Sequence, residues 1–271
     1  MPIQSLRTWP RSVRTLLAHY RLRVPPKRRI RTVQELTDLI RLRSPRRILG
    51  GPFQGLIYGG RSFGSMHLPK LLGTYERELS GCFSAANLSR YERFVNIGCA
   101  EGYYANGIAY LLKAEPRGRT TDVTGVDLNN EALTEARRIA DWNGLQVRFV
   151  KELEAALASS PAGRMLVICD VDGAETHIMA PSYFPVLDRT DFIVELHGPP
   201  GRRAVLDEIW SRFASTHKCI TIEFEARRPG DFPSSELGVE LDQKLKIEAM
   251  DERRVTSFCW LSLEAKPKCQ S

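Results

Sequence analysis

From Phe94 onward, compact apolar runs alternate with segments whose apolar positions recur every three or four residues. The runs, rich in Val, Ile and Phe, predict strands, and the longer period predicts amphipathic helices. RFVNIG leads into YYANGIAYLL, DVTGVDL into EALTEARRIADWNG, LQVRFV into ELEAALASS, RMLVICDV into a short segment after Gly173, and DFIVELHG into RRAVLDEIWSRFAS. KCITIEF and TSFCWLSL follow as two further strands, making seven. Strands alternating with helices predict an α/β fold with a mostly parallel sheet covered by helices on both faces. Residues 225–254, between the last two strands, read as too polar for core and as an insertion at the rim of a site.

Upstream the pattern is less regular. TVQELTDLIRL spaces Val33, Leu36, Leu39 and Ile40 as a short helix. Residues 50–65 hold six glycines and predict loop or irregular strand. LPKLLGTYERELSGCFSAANL predicts a single helix stopped near Gly81, in which Tyr75, Glu76 and Glu78 would close as a lid or pack on the sheet edge.

Charge is unevenly distributed. The net +7 conceals an arm, Met1 to Arg47, with 13 Lys and Arg against Glu35 and Asp38, so the arm carries +11 and the remainder about −4. Such an arm suits an acidic surface, whether anionic lipid or nucleic acid; a solvated tail and an Arg-rich transit peptide are the alternatives. No run reaches the roughly 20 apolar residues of a membrane span. The six scattered cysteines form no Cys-x-x-Cys pair, which fits a reducing, cytoplasmic compartment.

Four strand ends carry the candidate chemistry. Gly98 and Gly102 flank the turn after the first strand, where a parallel sheet binds ligands and helix amides face a polar group. Asp127 ends the next strand, 25 residues after Gly102, placed to accept both hydroxyls of a ribose; Asn129 or Asn130 would cap the following helix. ICDVDGAE sets Asp170, Asp172 and Glu175 within six residues, either as ligands of a hydrated Mg²⁺ or with Asp170 on cofactor or substrate and Glu175 at a helix start. In FIVELHG, Glu195 and His197 share one strand face, and His197 is a candidate general base.

Together NIGCAEGYYA, VTGVDLNNEAL, ICDVDGAE and FIVELHG resemble the FkbM-type branch of class I S-adenosylmethionine-dependent methyltransferases, over roughly Tyr91 to Leu261. The resemblance implies a seven-stranded Rossmann-like sheet with an antiparallel last strand, and transfer of a methyl group to a hydroxyl oxygen of a small molecule or glycan. Asn96, Gly98 and Gly102 would line the methionine end of the cofactor, Asp127 with Leu128 would hold the ribose, and Phe149 would approach the adenine. Asp170 and Asp172 would face the transfer centre, with Asp170 and His197 as catalytic groups and Asp170 and Asp172 as ligands of any Mg²⁺. Many class I enzymes carry an acid at the position of Asn96, so Glu101 is the candidate to supply the missing charge. The division expected is a basic arm (1–48), a glycine-rich segment and helix capping the sheet (49–90) and a methyltransferase-like domain (91–271). An RNA methyltransferase using the arm, and a non-catalytic binding protein on the same fold, are the competing functions. A dehydrogenase fits less well, because the turn lacks a full Gly-x-Gly-x-x-Gly.

Overall fold

The computed structural model describes residues 29–42, 46–114, 122–158, 162–197, 202–252 and 259–267. The expectations for residues 1–28, most of the basic arm, fall outside them. The strands are β1 (Tyr91–Ile97), β2 (Asp122–Val126), β3 (Arg148–Val150), β4 (Arg164–Cys169), β5 (Thr190–Leu196), β6 (His217–Glu223) and β7 (Cys259–Ala265). They form one seven-stranded sheet in the order β3-β2-β1-β4-β5-β7-β6, with β7 antiparallel to both its neighbours and the pairings from β3 to β5 parallel. This is the α/β sheet that the alternating pattern predicts. The order reverses between β1 and β4, and a crevice opens there at the strands' carboxyl ends.

Period-two alternation divides the core in two. Phe94, Leu166, Ile168 and Ile193 point to one face; Val95, Ile97, Val167, Cys169, Phe192 and Val194 point to the other. The first face receives α4 (Tyr103–Lys113) and α5 (Asn130–Asn143), while the second receives α6 (Leu153–Leu157) and α8 (Arg202–Phe213). The short α7 (Glu175–Ile178) follows β4.

The first face also gathers the segments outside the strand–helix repeat. Helix α1 (Val33–Arg41), capped by Thr32, buries Leu36 and Ile40. Ile30 bonds to Glu240, and Ile48 lies in the same cluster. The helix predicted after residue 67 is broken into α2 (His67–Leu72), a 3₁₀ turn (Arg77–Phe83) and α3 (Ala85–Leu88). Gly73 ends α2 at φ 75, where a Cβ would lie 1.9 Å from the Gly50 carbonyl oxygen. The left-handed backbone at Gly73 takes the chain out of the helix, and only glycine fits so close to the Gly50 backbone.

Residues 225–252, the described part of the expected rim insertion, also differ from expectation, since they supply core. Phe232, Leu237, Val239, Leu241, Leu245, Ala249 and Met250 are buried from a stretch that forms α9 (Ser234–Leu237) and α10 (Gln243–Ala249). Their spacing among charged residues lowers mean polarity too little to stand out, although each short helix still has an apolar face. Among the described residues no helix is long and apolar enough to cross a membrane.

Candidate functional site

The crevice is a cavity of about 1210 Å³. Its walls are the carboxyl ends of β1 to β5, and Phe63–Ser65, Lys70, Tyr75 and Glu252 close it from the first face. Asn96, Gly98, Asp127, Leu128, Asp170, Asp172 and His197 all line it, so most of the residues singled out from the sequence converge here.

The turn after β1 is built from backbone bonds to the neighbouring strand. Gly98 and Cys99 donate to the Val126 carbonyl at 2.8 and 2.9 Å. Asp127 accepts the Ala100 N–H on Oδ2 and the Asn129 N–H on Oδ1, each at 2.8 Å, so one carboxylate ties the turn to the start of α5. Asn129 in turn caps α5 by accepting from Glu131 and Ala132. Asn96 is 3% exposed, and its Oδ1 finds no hydrogen-bond partner among the described residues. A buried acceptor of this kind carries a desolvation cost of about 1–3 kcal/mol until a donor reaches it.

Three sequence candidates do not line the cavity. Gly102 opens α4 at φ 81, where a Cβ would press on Asn106 Nδ2 at 2.7 Å and on the Phe149 ring. Phe149 fills the space left by Gly125, whose added Cβ would meet its ring at 2.7 Å; both are packing positions behind the wall. Glu101 is fully buried and does not compensate for Asn96. It accepts from Lys70 Nζ at 2.5 Å, Ser62 Oγ and the Phe63 N–H at 2.9 Å, and the Tyr58 hydroxyl. Burial opposes its ionisation, yet Lys70 and these hydrogen bonds hold its carboxyl down at about 2. Its charge is spent on pinning residues 58–70 across the crevice.

The β4 and β5 ends form an acidic floor on the same sheet face as Asn96. His197 Nδ1 bonds Glu175 Oε1 at 2.5 Å, and its Nε2 faces Asp172 Oδ1 at 3.4 Å, Asp170 Oδ1 at 3.7 Å and Glu195 Oε2 at 3.9 Å. Burial pulls the His197 pKa down, but the Glu175 bond and the surrounding carboxylates overcome it and raise the value above 6.5. Burial pushes the Asp170 carboxyl well above the usual carboxylate range, and Glu195 beside it adds to the shift. Glu175 also accepts the Gly173 N–H, so it orients the imidazole and anchors the turn in which Asp172 has φ 49. Asp170, Asp172 and His197 each offer a ligand atom within 4.8 Å of the others. That set, two oxygens and a nitrogen, would hold a divalent cation, though Mg²⁺ prefers oxygen throughout.

Lys70, Glu252, Phe63 and Ser65 were not singled out from the sequence. Lys70 carried a signal: it is the one charge in HLPKLL, and a lysine inside so apolar a turn of helix is buried here at 3% exposure. Glu252 lies in the segment expected at the rim of a site, but no pattern singled it out, since its place depends on how residues 225–252 fold back.

No protein-family model matches the chain, and no curated protein matches it. Solved structures do. Cofactor-bound Rv0187 from MTB is 14% identical, with a TM-score of 0.45 over 75% of this chain and 82% of that one. Ribosomal protein L11 methylase from Lactobacillus delbrueckii subsp. bulgaricus is 13% identical, with a TM-score of 0.42 over 76% and 82%. An rRNA methylase from Streptococcus thermophilus is 10% identical, with a TM-score of 0.40 over 65% and 89%.

Proposed function

We propose that this protein is an S-adenosylmethionine-dependent methyltransferase acting on a hydroxyl oxygen of a small molecule or glycan. The observation that carries the reading is the pairing of Asp127 with the unpartnered Asn96 Oδ1 and an acidic floor, in one crevice at the strand-order reversal. Each Asp127 oxygen has already accepted one backbone N–H and keeps a further lone pair for a ribose hydroxyl. Asn96 offers its carbonyl oxygen to an ammonium, which satisfies both partners. Acidic side chains outnumber basic ones along the cavity wall, which suits a ligand with cationic centres.

When bound, the cofactor supplies an electrophilic methyl group. The chain's own contribution is alignment of the acceptor and removal of its proton. His197, held by Glu175 through Nδ1, presents Nε2 to the cavity and is the base for an acceptor hydroxyl once neutral. A cation at Asp170, Asp172 and His197 would lower the acceptor's pKa instead, and it would occupy Nε2, so the two roles of His197 exclude each other.

Calorimetric titration with S-adenosylmethionine tests the reading, with NADH as control and with Mg²⁺ or Mn²⁺ present or absent. Saturable binding that Asp127→Ala weakens at least about 100-fold supports it, as two charge-assisted hydrogen bonds are lost. A folded protein that binds NADH and not S-adenosylmethionine would sink it.

A further inference from the structure

A ligand with an amino-acid end is a zwitterion, so the crevice must meet a carboxylate as well as an ammonium. Asn96 and the acidic floor serve only the second. Among the described residues lining the cavity, the basic side chains are Lys70, Lys151 and His197. Lys151 stands just past β3, on the far side of Asp127 from the turn. His197 has Glu175 on one nitrogen and three carboxylates around the other, a place that repels an anion.

Lys70 differs in both respects. Its ammonium is tied to the turn itself, 2.5 Å from Glu101 Oε1, and stands 5.0 and 5.5 Å from the ring centroids of Tyr75 and Tyr103. An ammonium has three donors. One goes to Glu101, a second makes a long 3.4 Å contact with Ser62 Oγ, and the side chain lines the cavity. Glu101 is held by three donors besides Lys70, so the anchor stays in place when the ammonium takes a further partner.

We infer that Lys70 binds the carboxylate of the cofactor's amino-acid end and makes the crevice selective for a ligand that carries one. This rests on the cofactor reading above and adds a residue that neither composition nor motif assigns. It also gives this buried lysine a task beyond its ion pair with Glu101.

The experiment compares S-adenosylmethionine with its decarboxylated analogue by calorimetry on the full chain. Wild type should prefer the carboxylated ligand by about 10- to 100-fold, the range of a hydrogen bond between charged groups. Lys70→Gln should bring the ratio near one by weakening that ligand alone, and Lys70→Arg should restore most of the preference. An unchanged ratio in Lys70→Gln overturns the inference while leaving cofactor binding intact. Should that variant not fold, a wild-type ratio near one overturns it equally. Binding of neither ligand by folded wild type refutes the cofactor reading itself and removes this inference with it.

Discussion

Gly98 and Asp170 meet backbone to backbone across the point where the strand order reverses: a Cβ on Gly98 would lie 1.6 Å from the Asp170 carbonyl oxygen. Gly98 also has φ 74, a region that other L-residues enter at a cost. Gly98→Ala therefore has to part β1 from β4 at the crevice. The expected loss is about 3 kcal/mol or more, read by urea denaturation, together with loss of the S-adenosylmethionine binding proposed above. A variant with wild-type stability would show that the turn yields without cost.

Glu101 makes stability depend on acid. Its carboxyl is depressed from 4.5 to about 2, so it contributes stability that is complete above the unfolded value and is lost as pH falls through about 2. That shift corresponds to roughly 3 kcal/mol. In Glu101→Gln, unfolding measured between pH 2 and 7 should lose this part of the acid slope. The variant should be less stable by about 3–5 kcal/mol at neutral pH, because Lys70 stays buried without its counter-charge.

Arg227 joins the insertion to the segment before the sheet. It contacts Glu78 Oε2 at 3.0 Å and Glu252 Oε1 at 2.5 Å, and all three side chains are at most 4% exposed. Glu252 also accepts the Glu76 N–H and lines the cavity. Arg227→Ala leaves two buried carboxylates facing each other and should cost about 3–5 kcal/mol. Limited proteolysis should then cut within residues 225–252 before it cuts the sheet.

His197 and Glu175 set a pH profile. Carboxylates raise the His197 pKa above 6.5, so the ring is the conjugate acid at lower pH and becomes a base as pH rises through that raised value. With an acceptor in hand, kcat/KM should climb with pH and level off on the alkaline side. Glu175→Gln removes the leading stabiliser of the imidazolium and should move the inflection to lower pH while reducing the plateau. An inflection that stays put would assign the titration to another group.

Much of this was legible before folding. Compact apolar runs named the strands, and motif position placed Asn96, Gly98, Asp127, Asp170 and His197 at one edge, because every parallel strand ends on the same side of the sheet. Glu101 shows the limit. Its place inside the turn suggested a ligand, whereas four donors from residues 58–70 claim it. Phe149 and Gly102 pack behind the cavity wall, since strand ends and helix starts hold packing residues as well as contacts.

The order of apolar runs and the residues at their ends were determined by sequence alone, because backbone periodicity and side-chain alternation are local. Tertiary structure decided what covers the crevice. Lys70 and Glu252 reach it from helices and loops far away in the chain, and the ion pairs that hold them depend on which distant charges fold into contact. Coulombic partners carry no sequence period, so a lone charge in an apolar turn could mark Lys70 as unusual but no local pattern could name its partner.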